Sequence, residues 1–307
     1  MIKVESISKS FNSIEAVKDI SFHIQKGEIV GLLGPNGAGK TTTMRMMTGF
    51  YKPDSGSIQI GGLDILKDRL EIQKKTGYLP ENSALYADML VCDYLYFIAC
   101  SYQLDQSTIQ KNMDYAVTAT ALEKYFYRPV AQLSKGYKQR VGIAATLIHD
   151  PAILILDEPT SGLDPNQIAE IQRLIKLLAQ SKTIILSTHI LKEVENTCQR
   201  AIIISEGKIV MDEPLSNVHA LKKGGYKTHL TLAGQISGIS EILEREFREK
   251  VQENFLENES RFVLTASEHM GEKIFQCAKS NNWPLKELYT EKESLENIFK
   301  DLTGGQQ

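Results

Sequence analysis

Short strands separated by turn residues are predicted for the first 65 positions. The runs are IKVESIS, AVKDISFHI and GSIQI, with Gly27, Gly56 and the Gly61-Gly62 pair marking turns, and the alternation in FHI and SIQI is typical of half-buried antiparallel strands. The run EIVGLLG is apolar at nearly every position, which favours a strand covered on both faces. We therefore predict an N-terminal antiparallel β subdomain that accompanies one buried strand.

Helices are predicted over residues 90–149, in the segments VCDYLYFIACSYQL, STIQKNMDYAVTATAL and SKGYKQRVGIAATLIHD. The apolar strands AILIL, TIILSTH and AIIISEGKIV then alternate with amphipathic helices, one in NQIAEIQRLIKLLAQ and one that begins near Leu191. Such alternation indicates a parallel sheet with helices on its faces. The predicted fold class is therefore α/β, with a helical subdomain inserted at about residues 85–150.

A domain boundary is predicted at Pro214 and the LKKGG run at 221–225. Beyond it lie two strand candidates, THLTLAG and RFVLTA, and helical stretches around EILEREFREK and GEKIFQCAKSNN. The chain is thus expected to consist of a main domain at 1–220 and a small C-terminal α+β domain at 226–307.

Composition excludes several classes of protein. Hydrophobic residues make up 42% and charged residues 24%, so collagen-like and wholly disordered chains are excluded. The net charge of 35 − 38 = −3 provides no overall basic field for a nucleic acid. No apolar run approaches the length of a transmembrane helix, and no secretory signal is visible, so a cytosolic chain is expected. The four cysteines form no C-x-x-C pair and are expected to be buried, reduced thiols.

The segment GPNGAGKT at 34–41 fits the phosphate-binding loop G-x-x-x-x-G-K-[ST], between a predicted strand and a predicted helix. Its glycines allow backbone N–H groups to surround a phosphate, and the next helix points its positive end at the same anion. We expect Lys40 to meet the β- and γ-phosphates and Thr41 to offer its hydroxyl to Mg²⁺. The predicted nucleotide-binding residues are Gly34, Pro35, Asn36, Gly37, Ala38, Gly39, Lys40, Thr41 and Thr42.

Two carboxylates follow the apolar strand AILIL. Neighbouring residues at a strand end point in different directions, so Asp157 and Glu158 can serve different purposes. Asp157 is the candidate for binding Mg²⁺, directly or through water, and Glu158 for polarising the attacking water. Together with Lys40, these residues predict a nucleoside triphosphatase.

The motif LSKGYKQR at 133–140 makes the chain resemble the ATP-binding cassette (ABC) ATPases. In that family an LSGGQ-like signature opens a helix and completes the ATP site of a second subunit, which implies that Ser134 and Gly136 contact the partner's nucleotide. Ser134 is a natural N-cap, and a helix N-terminus attracts anions. Lys135 and Tyr137 depart from the family pattern, where glycine and glutamine are usual.

Further residues match the family in order. SGLD at 161–164 resembles the loop that crosses the dimer interface, with Asp164 as its contact residue, and STH places His189 at the position that contacts the γ-phosphate. Phe11 resembles the aromatic residue that stacks on adenine, although it could equally be a core residue, and Val17 resembles the apolar contact beneath the base. In YLPEN, Glu81 stands where the family usually has a glutamine that ligates Mg²⁺, and its carboxylate still offers an oxygen to the cation.

The resemblance implies an ATP-binding and ATP-hydrolysing subunit of an ABC transporter, with ATP and Mg²⁺ as cofactors. The YLPE and LSKGY variants and the C-terminal extension resemble the drug-exporter and gliding-motility branch. The implied partners are a separate membrane-spanning permease, contacted near the loop after Glu81 and the helical segment after Leu85, and a second ATPase subunit in an ATP-bound homodimer. No nucleic-acid partner is expected. The implied location is cytoplasmic, on the inner face of the membrane.

Two other functions are open to test. A soluble ABC protein acting on ribosomes or DNA usually has two cassettes, a long coiled coil or a basic arm, and none is visible in this sequence. A regulatory nucleotide-binding module that barely hydrolyses ATP is disfavoured by Glu158. The last helical stretch, ESLENIFKDL, is compatible with the family's C-terminal extension and equally with a helix packed on its own domain.

Overall fold

The structure, a computed structural model, describes residues 1–220, 226–236, 238–249, 251–256, 258–266 and 268–292. The described chain divides into two units, and the division falls between Leu215 and Ser216. The predicted helix ESLENIFKDL lies outside the described residues. Among those described, no helix has the length and apolar character needed to cross a membrane.

The first unit contains an antiparallel sheet, a mostly parallel sheet and a group of helices. In chain order its elements are β1 (Ile2–Phe11), β2 (Ile14–Ile24), β3 (Ile29–Leu33), α1 (Lys40–Met47), β4 (Ser55–Ile60), β5 (Leu63–Asp64), α2 (Arg69–Lys75), β6 (Thr76–Leu79), α3 (Val91–Ser101), α4 (Gln106–Ala119), α5 (Lys135–Leu147), β7 (Ile153–Leu156), α6 (Pro165–Leu178), β8 (Thr183–Thr188), α7 (Leu191–Thr197), β9 (Arg200–Ser205) and β10 (Lys208–Pro214). A further helix, α8 (Leu215–Ala220), begins at the boundary between the units.

The antiparallel sheet has the strand order β2-β1-β4-β5, in agreement with the predicted N-terminal β subdomain. The larger sheet has the order β10-β9-β3-β8-β7-β6, in which β9, β3, β8, β7 and β6 are parallel. Strands β3, β8 and β7 are therefore neighbours whose carboxyl ends meet at one edge. That edge carries the glycine-rich loop, His189 and the two carboxylates, which are far apart in sequence.

Residues of the central strands alternate between two hydrophobic cores. On β7, Ile153 and Ile155 pack with α1 and the antiparallel sheet, whereas Leu154 and Leu156 pack with α3, α5 and α6. All four side chains are fully buried. The continuous apolar character of this strand is explained by burial of both faces of the sheet.

The predicted single strand AIIISEGKIV is wrong, because the segment forms the hairpin of β9 and β10. The two residues of the turn, Glu206 and Gly207, have φ values of 49° and 80°. Two successive residues with positive φ give a two-residue hairpin turn whose twist matches that of the flanking strands. The antiparallel pairing of Ser205 with Lys208 follows directly from this turn.

The prediction of buried cysteines also needs correction. All four cysteines are free thiols, but only Cys277 is buried. Cys100 is exposed, and Cys92 and Cys198 are half-buried. Cys92 and Cys100 both belong to α3, and the apolar spacing there does not tell which side chains of the helix face outward.

The second unit is an α+β fold with one antiparallel sheet. Its elements are β11 (Tyr226–Ala233), α9 (Ile239–Phe247), β12 (Val251–Leu256), β13 (Glu259–Ala266), α10 (Gly271–Ser280) and β14 (Leu285–Lys292), and the strand order is β12-β13-β11-β14. This βαββαβ order is that of ferredoxin-like folds. The sequence predicts β11 and β13, which are central, and misses β12 and β14, which are the two edge strands of the described sheet.

Candidate active site

The glycine-rich loop connects β3 to α1, and its glycines are required by its shape. A Cβ atom at Gly34 would lie 2.2 Å from the carbonyl oxygen of Ile204, and one at Gly39 would lie 2.5 Å from that of Ala16. Gly39 also has a φ of 108°, which other residues rarely adopt. The loop is therefore held closely against neighbouring backbone, and it leads directly into the N-terminus of α1, where backbone N–H groups can bind an anion.

Lys40 is the first residue of α1, and its side chain is buried. Its Nζ donates hydrogen bonds to the carbonyl oxygens of Gly34 (2.8 Å) and Pro35 (3.2 Å) and lies 3.6 Å from Oε1 of Glu158. Burial lowers the pKa of this ammonium group, while the nearby charges of Glu158 and Asp157 oppose the shift. A cation is thus placed inside the loop where a phosphate would need one.

A cavity of about 480 Å³ lies over this loop. Its wall is formed by Ala16, Asn36, Gly37, Ala38, Gly39, Lys40, Thr41, Thr42, Glu81, Glu158, Ser161 and His189. The structure therefore brings together residues of the loop, the YLPEN segment, the end of β7 and the end of β8. Ala16 and Ser161 are lining residues that the sequence does not predict. A lone alanine carries no recognisable signal, and the SGLD motif that begins with Ser161 indicates a loop at the dimer interface rather than the wall of this cavity.

The two candidates for adenine contact lie outside the wall of this cavity. Phe11 is 37% exposed, and its ring packs edge-on against Tyr51 with the ring centroids 5.1 Å apart. Val17 has no exposed surface and belongs to the hydrophobic core. Ala16, next to Val17, supplies the apolar surface at the cavity wall.

Asp157 is fully buried and points toward the loop. Its Oδ1 accepts hydrogen bonds from the hydroxyls of Thr41 (3.1 Å) and Ser187 (2.6 Å). Its Oδ2 is buried without a hydrogen-bond partner in the described part of the chain. A buried carboxylate oxygen without a partner is costly unless a cation occupies the site, so Asp157 and Thr41 fit a hard divalent ion.

No group of three or more metal-ligating His, Cys, Asp or Glu side chains occurs in the described residues. Magnesium in phosphate sites takes one or two protein ligands and fills its other positions with phosphate oxygens and water.

Glu158 is held in an uncommon backbone conformation. Its φ is 48°, in the left-handed region, which costs a non-glycine residue about 1–3 kcal/mol and clusters at functional sites. Its backbone N–H donates to Oγ of Ser187 at 2.9 Å, and its Oε2 lies 3.0 Å from Nδ1 of His189. The carboxylate of Glu158 therefore lies between the imidazole of His189 and the ammonium group of Lys40.

The residues of the LSKGY motif lie elsewhere. Ser134 is the N-cap of α5, as predicted, but its exposed side chain makes no capping hydrogen bond. A Cβ at Gly136 would meet the Gln167 side chain at 2.7 Å, and the Asp164 side chain accepts from the Gln167 N–H at 3.0 Å. Gly136 and Asp164 line a separate cavity of about 270 Å³, so they are not part of their own chain's loop cavity.

The strand-loop-helix fold, the buried lysine and the paired carboxylates define a P-loop nucleoside triphosphatase. The sequence profile described as ABC transporter matches residues 17–161. The bacitracin transport ATP-binding protein BcrA of Bacillus licheniformis is 32% identical over 309 residues, which is 99% of this chain and 98% of that protein. The chain belongs to the ABC transporter ATP-binding proteins, as its motifs predict, and it is an ATP-hydrolysing subunit.

Solved structures agree with this family. The structure of cbiO1 from Clostridium perfringens, part of the ABC transporter complex cbiONQ, has a TM-score of 0.66 at 32% identity and matches over 72% of this chain and 91% of that chain. The dimeric post-hydrolysis state of the cassette MJ0796, bound to ADP and Pi, has a TM-score of 0.64 at 25% identity, over 70% and 99% of the two chains. These structures confirm the predicted P-loop fold of the ABC type.

Proposed function

We propose that this chain powers an exporter, as one of two identical ATPase subunits attached to a separate permease on the inner face of the membrane. The observation that carries the proposal is the separation of Ser134, Gly136 and Asp164 from the chain's own loop cavity. Two copies arranged head to tail would place these residues of one chain over the loop of the other. The similarity to a bacitracin transport protein over the whole chain supports an exporter.

Within each site, the loop amides and Lys40 would bind the β- and γ-phosphates. Thr41, Asp157 and Glu81 would hold Mg²⁺, which supplies charge neutralisation of the phosphates when bound. Glu158 would orient the attacking water, and His189, within hydrogen-bonding reach of Glu158, would contact the γ-phosphate. Phe11 would stack on adenine, with Val17 supporting the wall formed by Ala16.

The partner subunit would contribute the N-terminus of α5. The first turn of that helix has no side-chain cap, so its N–H groups are available to a γ-phosphate. Ser134 would add its hydroxyl, and Asp164 would contact the facing loop. Binding of ATP would then join the two chains, and hydrolysis would release them.

Glu81→Gln is expected to keep ATP turnover within about threefold of the wild type, because the amide still offers an oxygen to Mg²⁺. Glu81 lies in the wall of the loop cavity, and its charge acts on Lys40 together with those of Asp157 and Glu158. Turnover is measured as phosphate release at saturating MgATP. A loss as large as that of Glu158→Gln would show that Glu81 has a different role.

A second surface suits the permease. A cavity of about 560 Å³ lies between β6, the segment after it, α3 and α5, lined by Pro80, Ser83, Ala84, Tyr94, Ile98, Tyr102 and neighbouring side chains. At this region Tyr86 is 56% and Phe97 is 45% exposed, and their ring centroids lie 5.6 Å apart. Exposed aromatic residues beside a groove are typical of a protein interface.

The proposal is tested by capture from detergent-solubilised membranes with the tagged chain. We expect the wild type to retain a polytopic membrane protein. The double variant Tyr86→Ala/Phe97→Ala is expected to retain at least about tenfold less of that protein, because aromatic residues often supply most of the binding energy of an interface. Tyr127→Ala is the matched control, since Tyr127 is 77% exposed and its ring packs on Phe126, which does not line the cavity, whereas the ring of Tyr86 packs on the lining residue Tyr94. Failure of the wild type to retain any membrane protein would contradict the proposal.

A further inference from the structure

Glu193 of α7 connects the two loops that carry Glu158 and His189. Its Oε2 accepts hydrogen bonds from the hydroxyl of Thr160 at 2.8 Å and from the hydroxyl of Thr188 at 2.7 Å. Thr160 lies two residues after Glu158, and Thr188 immediately precedes His189. All three bonded side chains are buried, so one carboxylate oxygen joins the segment after β7 to the end of β8.

The backbone around Glu158 needs such a connection. A residue with a left-handed backbone persists only where its surroundings determine it. On one side of Glu158, Ser187 accepts from the Glu158 N–H and donates to Asp157. On the other side, the bond from Thr160 to Glu193 is the anchor. Ser187 and Thr188 are consecutive residues of β8, so both anchors fix Glu158 relative to the strand that ends at His189.

The position of His189 depends on the same group. The hydroxyl of Thr188 donates to Glu193 and accepts from the N–H of Ile190 at 3.0 Å, which fixes the backbone on both sides of His189. The second carboxylate oxygen of Glu193 is buried without a hydrogen-bond partner among the described residues. A buried oxygen without a hydrogen-bond partner lowers the stability of a fold, so a group with all its hydrogen bonds made would stabilise this position better. Stability alone therefore does not explain a glutamate here.

We infer that Glu193 is a positioning residue for ATP hydrolysis, which acts through Thr160 and Thr188 to hold Glu158 and His189 at their working distance. The inference rests on the roles proposed for Glu158 and His189. Small displacements of a catalytic group reduce turnover strongly even when the substrate remains bound. Loss of the connection therefore lowers kcat and leaves the binding of ATP to the loop intact.

The test uses Thr160→Val, which removes one hydroxyl and keeps the shape of the side chain. We expect kcat to fall at least about tenfold and the KM for ATP to stay within about twofold, since the change affects the transition state alone. Thr120→Val is the matched control, because the Thr120 hydroxyl is equally buried and donates to the carbonyl oxygen of Ala116, far along the chain from the site.

Glu193→Gln separates positioning from charge. Its amide oxygen can accept both hydroxyl hydrogen bonds, so kcat is expected within about threefold of the wild type, well above that of Thr160→Val. Thermal unfolding of each variant is recorded beside the kinetics. An unchanged kcat in Thr160→Val, or equal losses of kcat and stability in Thr160→Val and Thr120→Val, would overturn the inference. If the wild type does not hydrolyse ATP, the assigned activity itself is wrong, and this result differs from a failure of the inference alone, in which the wild type is active.

Discussion

Glu158→Gln is expected to lower ATP turnover at least about 100-fold, the scale on which a positioned general base contributes. The glutamine keeps the size of the side chain, and its oxygen can still approach His189, but it cannot take up a proton or polarise water as a carboxylate does. Phosphate release at saturating MgATP measures the loss. The loop, Lys40 and Thr41 are untouched, so the variant still binds ATP and accumulates as an ATP-bound dimer.

Glu71→Gln serves as the control for this variant. Glu71 is an exposed carboxylate on α2, paired with Lys74 at 2.9 Å, and it does not belong to the cavity wall. Its replacement is expected to leave turnover unchanged. If Glu158→Gln kept more than about a tenth of the wild-type turnover, Glu158 would be excluded as the general base, because loss of a general base lowers turnover by more than about tenfold.

Lys40→Ala is expected to abolish ATP-dependent dimerisation and to weaken MgATP binding at least about 100-fold, on the order of 3 kcal/mol. The change removes the buried cation that a phosphate would contact, and it leaves Glu158 without the ammonium group that lies 3.6 Å from its Oε1. Binding is measured calorimetrically and dimerisation by light scattering with and without MgATP. The exposed Lys74→Ala is the control.

Stability must be followed for the Lys40 variant as well. Removing one partner of a buried ion pair leaves an uncompensated charge and destabilises a protein by about 3–5 kcal/mol. The unfolding of the variant is therefore measured by calorimetry beside the binding measurement, so that only the folded variant is compared with the wild type. If Lys40→Ala formed dimers with ATP as readily as the wild type does, the role assigned to Lys40 would be wrong.

The residues with fixed spacing were the easiest to predict from sequence. GPNGAGKT and the carboxylates after AILIL each combine a buried strand with polar residues at its end, and such a combination rarely arises by chance. The parallel sheet follows from the same apolar strands. The structure places Lys40, Glu158 and His189 together because β3, β8 and β7 are adjacent, and strand order is not readable from the residues of any one strand.

The missed features share a physical cause, which is that their signals are weak or non-local. The edge strands β12 and β14 carry many polar residues, because one side of an edge strand faces water, and their segments VQENFL and LKELYTEK resemble loops. Ser187 and Glu193 act through hydrogen bonds to residues about 30 positions away along the chain. A serine inside a strand and a glutamate inside a helix are ordinary residues until the partners are known.

The alternation of β7 between two cores makes the central sheet a partition inside the first unit. Replacing Leu154 by a smaller residue would create a cavity on the side of the helices, and replacing Ile155 would create one beneath α1 and the nucleotide loop. The two changes lie on adjacent residues of one strand, yet they disturb different compartments. Because the same strands contribute side chains to both cores, a displacement of these strands caused on the helical side would also alter the packing beneath the nucleotide loop.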